Sequence, residues 1–172
     1  MKEHFKTNSG TVNWLQILIG ATGLLLGTLV YLVDRPPHHT YFIYKSSINI
    51  SLFNILPNLF GPIGNNLPTF IHVFSFTLIT AGLISCQKRG YIIICISWSV
   101  VDCFFELGQK FKSSAVSIIP DWFTVIPFLE NTENFFFKGT FDCFDIGFIC
   151  LGAIMAYLVL LTTTKIKKEV PL

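Results

Sequence analysis

Trp98-Ser-Val-Val-Asp102-Cys-Phe-Phe-Glu106-Leu-Gly-Gln109 closes an apolar run that begins at Gly90. The run is long enough to cross a bilayer, yet its end carries two carboxyls and a carboxamide. Asp102, Glu106 and Gln109 stand at i, i+4, i+7, so a helix puts them on one face. Cys95 and Ser99 continue that stripe toward the helix start. Ionisable groups facing lipid are costly and turn instead toward protein or a wet cavity. The stretch therefore predicts a membrane helix with one face turned inward.

Composition agrees. Of 172 residues, 52% are hydrophobic and 13% charged, where soluble domains carry about 25% charged residues. Mean hydropathy is +0.61. No linker rich in Ser, Gly or Pro divides the chain, so residues 1–172 read as a single domain. A net charge of +2, with dispersed basic residues and no aromatic-basic stripe, gives no footing for nucleic acid. The five cysteines (Cys86, Cys95, Cys103, Cys143, Cys150) form no CxxC pair. They read as small buried hydrophobes, not as a disulfide framework or a zinc site.

Three further apolar runs complete an all-α, polytopic fold of four transmembrane helices: residues 14–33, 68–86, 90–109 and 142–164. Twenty helical residues cover about 30 Å, one hydrocarbon core. The first run exceeds a signal-peptide core of about 7–15 residues, and no small-x-small cleavage site follows it, so it reads as a retained helix. Gly20, Gly23 and Gly27 share a face there. Gly23-Leu-Leu-Leu-Gly27 is a GxxxG, suited to close helix packing but also common in membrane helices.

Between the first two spans, Ile48, Leu52, Ile55, Leu56 and Leu59 recur at helical spacing. Ser47, Ser51, Asn54 and Asn58 fall largely opposite. This predicts an interfacial amphipathic segment. Alternation of Ile48, Ile50 and Leu52 with Asn49 and Ser51 is the competing strand pattern. Residues 110–141 read as a loop whose Phe135-Phe-Phe137 run sits at headgroup level.

Lys2, Lys6, Lys88, Arg89, Lys165, Lys167 and Lys168 fall on one side of a four-span chain, and Lys88-Arg89 marks a tight basic turn. Basic residues near short loops face the cytoplasm. Both termini are expected there, with the two long loops outside. His72 then lies near the outer end of the second span. Glu106 and Gln109 lie near the outer end of the third, with Asp102 a turn deeper. Asp142 and Asp145 open the fourth and share a side. The topology predicts that they converge on an outward-facing polar pocket.

Carboxyls with a histidine can bind a metal, exchange protons with a substrate, or relay protons. The chain has no HExxH, GxSxG or phosphate-cradling glycine loop. No metal is assigned on residue types alone, and the cofactor stays open. The candidates are His72, Glu106 and Asp145 for catalysis, with Asp102, Gln109 and Asp142 for binding. Membrane lipids and a lipid-linked or envelope molecule at the outer leaflet are the expected partners. A structural subunit and a proton- or ion-coupled carrier are the other classes. The absence of an evident repeat weighs against the carrier.

Glu106-Leu-Gly-Gln109, then Gly139-Thr-Phe-Asp142-Cys-Phe-Asp145 and Gly152, resembles the VanZ-like family of small bacterial membrane proteins. Leu67-Pro-Thr-Phe-Ile-His72-Val-Phe-Ser-Phe76 is similar to that family's histidine-bearing helix. The resemblance spans about residues 65–156. It implies a multi-pass protein of the bacterial cytoplasmic (inner) membrane, with the family's E-x-x-Q at Glu106 and Gln109. It also puts the family's aspartate at Asp145 and its packing glycine at Gly152. Ile149 stands where the family often has asparagine. Thr69 and Phe70 occupy the region before His72 where it often has lysine or aspartate.

Overall fold

The computed structural model describes residues 12–40, 50–127 and 129–169. Four long helices carry the fold: α1 (Trp14–Val33), α2 (Leu67–Ile84), α3 (Lys88–Lys110) and, last in the chain, α6 (Cys143–Glu169). Each contains a stretch apolar and long enough to cross a membrane. The protein is a polytopic membrane protein, and its described residues form no sheet.

Three polar contacts fix one end of the bundle. The Asn13 N–H donates to the Gly82 carbonyl at 2.9 Å. Gln16 Nε2 donates to Thr163 Oγ1 at 2.9 Å, and the hydroxyls of Tyr91 and Thr164 meet at 2.8 Å. The start of α1, the end of α2, the start of α3 and the end of α6 therefore lie together. The helices alternate in direction, and the α2–α3 connection is the short antiparallel turn between them.

α2 is the central element and packs against α1, α3 and α6. Of its apolar stretch 44% is buried, against 28% for α1 and 22% for α3 and α6. The outer faces of those three helices carry exposed Leu18, Leu25, Ile93, Val100, Ile154 and Leu158. In water such faces would be unstable; in a bilayer they meet lipid.

Small residues set the spacing. A Cβ on Gly20 would stand 2.7 Å from the Ser75 carbonyl oxygen, and one on Gly23 would strike Ser75 Oγ. The Gly23 Cα–H therefore points at that hydroxyl, a weak contact typical of close helix pairs. A Cβ on Gly27 would stand 3.1 Å from Ile71 Cγ2. On α6, a Cβ at Gly152 would stand 2.7 Å from the Phe70 carbonyl oxygen, so α6 lies against the α2 backbone. The apolar core (Leu78, Ala81, Tyr91, Ile94, Ala156, Leu160) fills the half of the bundle near the α2–α3 turn.

The connections depart from expectation. The described part of the supposed interfacial helix, residues 50–60, is not helical; residues 47–49 lie outside the described residues. Asn54 has φ +67°, and Phe53 bridges Leu56 across the turn. The Leu59 and Phe60 N–H groups donate to the Asp34 carboxylate at 3.0 and 2.8 Å. A side chain at the end of α1 thus takes donors that a local helix would have used. Ile50, Ile55, Leu56 and Leu59 remain exposed.

The described residues of 110–141 form two short helices, α4 (Lys112–Ser117) and α5 (Thr132–Lys138), with single 3-10 turns. Phe136 is buried against protein, whereas Phe137 is exposed. The Phe136 ring stacks on Phe105 at 5.8 Å and covers Gly108, where a Cβ would collide with it. Only Cys95 of the five free cysteines is buried, whereas Cys143 and Cys150 are exposed. A thiol within a span, such as that of Cys150, is apolar enough to face lipid, so the expected burial of all five does not follow.

Candidate functional site

The end of the bundle opposite the core gathers the polar side chains. It is built from the end of α1, the start of α2, the end of α3 and the start of α6. Glu106 lies within electrostatic reach of Asp145, Asp102, Asp142 and Arg35. Tyr31, in the last turn of α1, is within reach of Arg35, Glu106, Asp145 and Asp102.

Asp145 is held from α2. Asn66 Nδ2 donates to its Oδ1 at 2.9 Å, and Thr69 Oγ1 donates to the same oxygen at 3.0 Å. Asn66 Nδ2 is also 3.4 Å from Asp142 Oδ2. Asp142 Oδ1 accepts the Phe144 N–H at 2.9 Å, so this carboxylate also caps the start of α6. Asp145 lies in the first turn, where the exposed N–H groups of a helix favour negative charge.

Glu106 differs from these. It and Gln109 are each 8% exposed. Its Oε1 receives Gln109 Nε2 at 3.5 Å, a long and weak bond. Its Oε2 is buried with no hydrogen-bond partner. Burying an unmet carboxyl oxygen is expensive, and such groups call for a missing ligand or water. Gln109 is placed by a glycine in turn, since a Cβ on Gly139 would stand 2.6 Å from its Oε1.

His72 lies about one turn along α2 from Thr69, within electrostatic reach of Arg35. Its ring lies 5.9 Å from Phe76, which stacks on Trp98 at 4.7 Å. Among the described residues, no hydrogen bond joins His72 to Glu106 or Asp145. The geometry thus draws the four carboxyls and Gln109 together and leaves His72 on the flank.

Arg35, Tyr31, Asn66 and Thr69 belong to this end and were absent from the sequence-based set. Arg35 Nη2 donates to the Asn65 and Gly64 carbonyls at 2.6 and 3.5 Å, with its guanidinium 4.6 Å over the Tyr31 ring. The available signal was a lone arginine directly after a span. Among the described residues, no group of three or more His, Cys, Asp and Glu is arranged to hold a metal.

A cavity of about 450 Å³ lies beside the cluster, not inside it. Its lining includes Cys95, Ser99, Cys103, Phe104 and Leu107 of α3 and Ala153 of α6. It is apolar and open toward the lipid side, where Val100, Phe104 and Leu107 are exposed. The lower part of the polar stripe, Cys95 and Ser99, therefore belongs to this groove.

Fold and site together define a polytopic α-helical membrane protein with an acidic cluster at one end of its bundle. No protein-family model, curated protein or solved structure matches the chain.

Proposed function

We propose that the acidic end of the bundle binds, or binds and modifies, the polar head of a lipid-linked or envelope molecule at the outer leaflet of a bacterial inner membrane. The observation that carries this is the buried, unpartnered Oε2 of Glu106 among Asp102, Asp142 and Asp145. The orientation rests on Lys88 and Arg89, which begin α3 at the opposite end and so favour a cytoplasmic α2–α3 turn. The exposed Ile50, Ile55, Leu56 and Leu59 suit a loop resting on the bilayer surface beside the site.

The resemblance to VanZ-like proteins supports the same reading, because its marked positions include Glu106, Gln109, Asp145 and Gly152. In this reading Glu106 receives the ligand, Gln109 steadies it, and Asp145 anchors the α2–α6 wall. Asp102 and Asp142 bind at the margin, and His72 is a proton-exchanging group on the flank.

The test is native mass spectrometry of the protein purified in mild detergent. Wild type is expected to retain a membrane molecule that Glu106→Gln loses, with helicity and melting unchanged. Identical retained molecules in a folded Glu106→Gln protein overturn the proposal. The bonds already made by Asp142 and Asp145 favour a second reading, a structural subunit, which that result would support.

A further inference from the structure

Resting on the reading above, we propose that the site takes a lipid with a primary-ammonium head, one acyl chain of which lies in the groove between α3 and α6. The head follows from charge and from which donors are already placed. Three carboxyl side chains, Asp145, Asp102 and Asp142, lie within electrostatic reach of Glu106, against one cation within that reach, Arg35. The Arg35 guanidinium is engaged with two carbonyls and the Tyr31 ring. Asp145 has the donors of Asn66 and Thr69, and Asp142 has the Phe144 N–H. Glu106 Oε2 has none. A partner for the Glu106 carboxylate must donate a hydrogen bond and suit a negative field. A primary ammonium does both, with three N–H donors. A quaternary ammonium brings charge without donors, and a head that is only anionic meets like charge.

The chain follows from the groove's place and length. Its α3 wall runs from Cys95 to Leu107, which at 1.5 Å per residue is about 18 Å. One leaflet is about half of a 30 Å core, so this length suits a single chain of one leaflet. The upper wall runs beside the polar cluster on the same helix, since Cys103 and Leu107 of the lining directly follow Asp102 and Glu106 in the chain. Gly152 draws α6 onto the Phe70 backbone, and the neighbouring Ala153 offers the groove only a methyl. Apolar groove and unmet acceptor thus lie on neighbouring faces of α3, the placement that the tail and head of one molecule require.

The test uses the full chain in detergent and native mass spectrometry titrations with chain-matched phosphatidylethanolamine, phosphatidylcholine and phosphatidylglycerol. All three carry a phosphate, so the ammonium and its protons are the variable. Phosphatidylethanolamine is expected to bind at least tenfold more tightly than the other two, and lysophosphatidylethanolamine to keep most of that affinity. Glu106→Gln should remove the preference. Ser99→Phe and Ala153→Phe, on opposite walls of the groove, should each weaken phosphatidylethanolamine about tenfold; either one suffices if the other fails to fold by circular dichroism. Equal binding of phosphatidylglycerol or phosphatidylcholine overturns the head assignment. Unchanged affinity in a folded groove variant overturns the chain assignment while leaving the site at Glu106 standing. Binding that ignores Glu106 altogether removes both this proposal and the functional reading beneath it.

Discussion

Thr69 and Asp145 join α2 to α6 across 76 positions of chain: the threonine hydroxyl donates to Oδ1 at 3.0 Å. Asn66 adds a second donor to the same oxygen at 2.9 Å. Asp145→Ala strands both donors, and a lost, partly buried acceptor costs about 1–3 kcal/mol. Thermal unfolding in detergent should fall accordingly. Asp145→Asn keeps an acceptor oxygen and should lose less. Equal melting of wild type and Asp145→Ala would show that the contact does not hold the wall.

The α1–α2 seam makes a sharper prediction, because its glycine and its serine oppose each other. A methyl at Gly23 would strike Ser75 Oγ. Gly23→Ala should therefore destabilise by about 1–3 kcal/mol, the usual range for overpacking. Ser75 Oγ has no hydrogen-bond partner, so Ser75→Ala should be neutral or slightly stabilising. Combined, the two changes should restore most of the loss, a coupling readable in a double-mutant cycle of melting temperatures. Strict additivity would mean that the collision is relieved elsewhere.

At the other end, Gln16 is 1% exposed and donates to Thr163. Thr163→Val keeps the shape and removes the acceptor. Helix–helix hydrogen bonds in membranes average about 0.6 kcal/mol, with a maximum near 1.7. The buried amide puts this case toward the upper value. Gln16→Leu with Thr163→Val removes both partners and should recover nearly all of it. If the double variant melts lower than Thr163→Val alone, the glutamine is held by packing and not by the bond.

The four spans were legible because each is an apolar run of membrane length. Residues 14–33 match α1, and the run 90–109 extends by a turn or less at either end to Lys88–Lys110. The connections were not legible. Asp34 captures the Leu59 and Phe60 N–H groups from 25 and 26 positions away, and no local pattern announces such a partner. The burial of Phe136 was likewise hidden, because nothing nearby in the chain shows that Gly108 leaves room for its ring. Within the site, carboxyls inside apolar runs stand out by their cost, so Asp102 and Glu106 were easily chosen. Asn66, Thr69 and Arg35 sit at span ends, where polar residues are ordinary. Their part appears only when the helices are set side by side.

Orientation is open to a direct chemical test with two thiols at opposite ends of the bundle. Cys143 is exposed at the start of α6, beside the acidic cluster; Cys86 lies half-buried in the α2–α3 turn. Single-cysteine variants retaining one or the other can be treated with a membrane-impermeant maleimide. Cys143 should label in intact cells, and Cys86 only after permeabilisation. Burial pushes the Cys86 thiol up, and the thiolate is the reactive form. Its labelling in permeabilised cells should therefore be slow at neutral pH and should accelerate more steeply toward alkaline pH than that of a free thiol. Rapid labelling of Cys86 in intact cells, with Cys143 protected, would invert the topology and move the acidic cluster to the cytoplasmic leaflet.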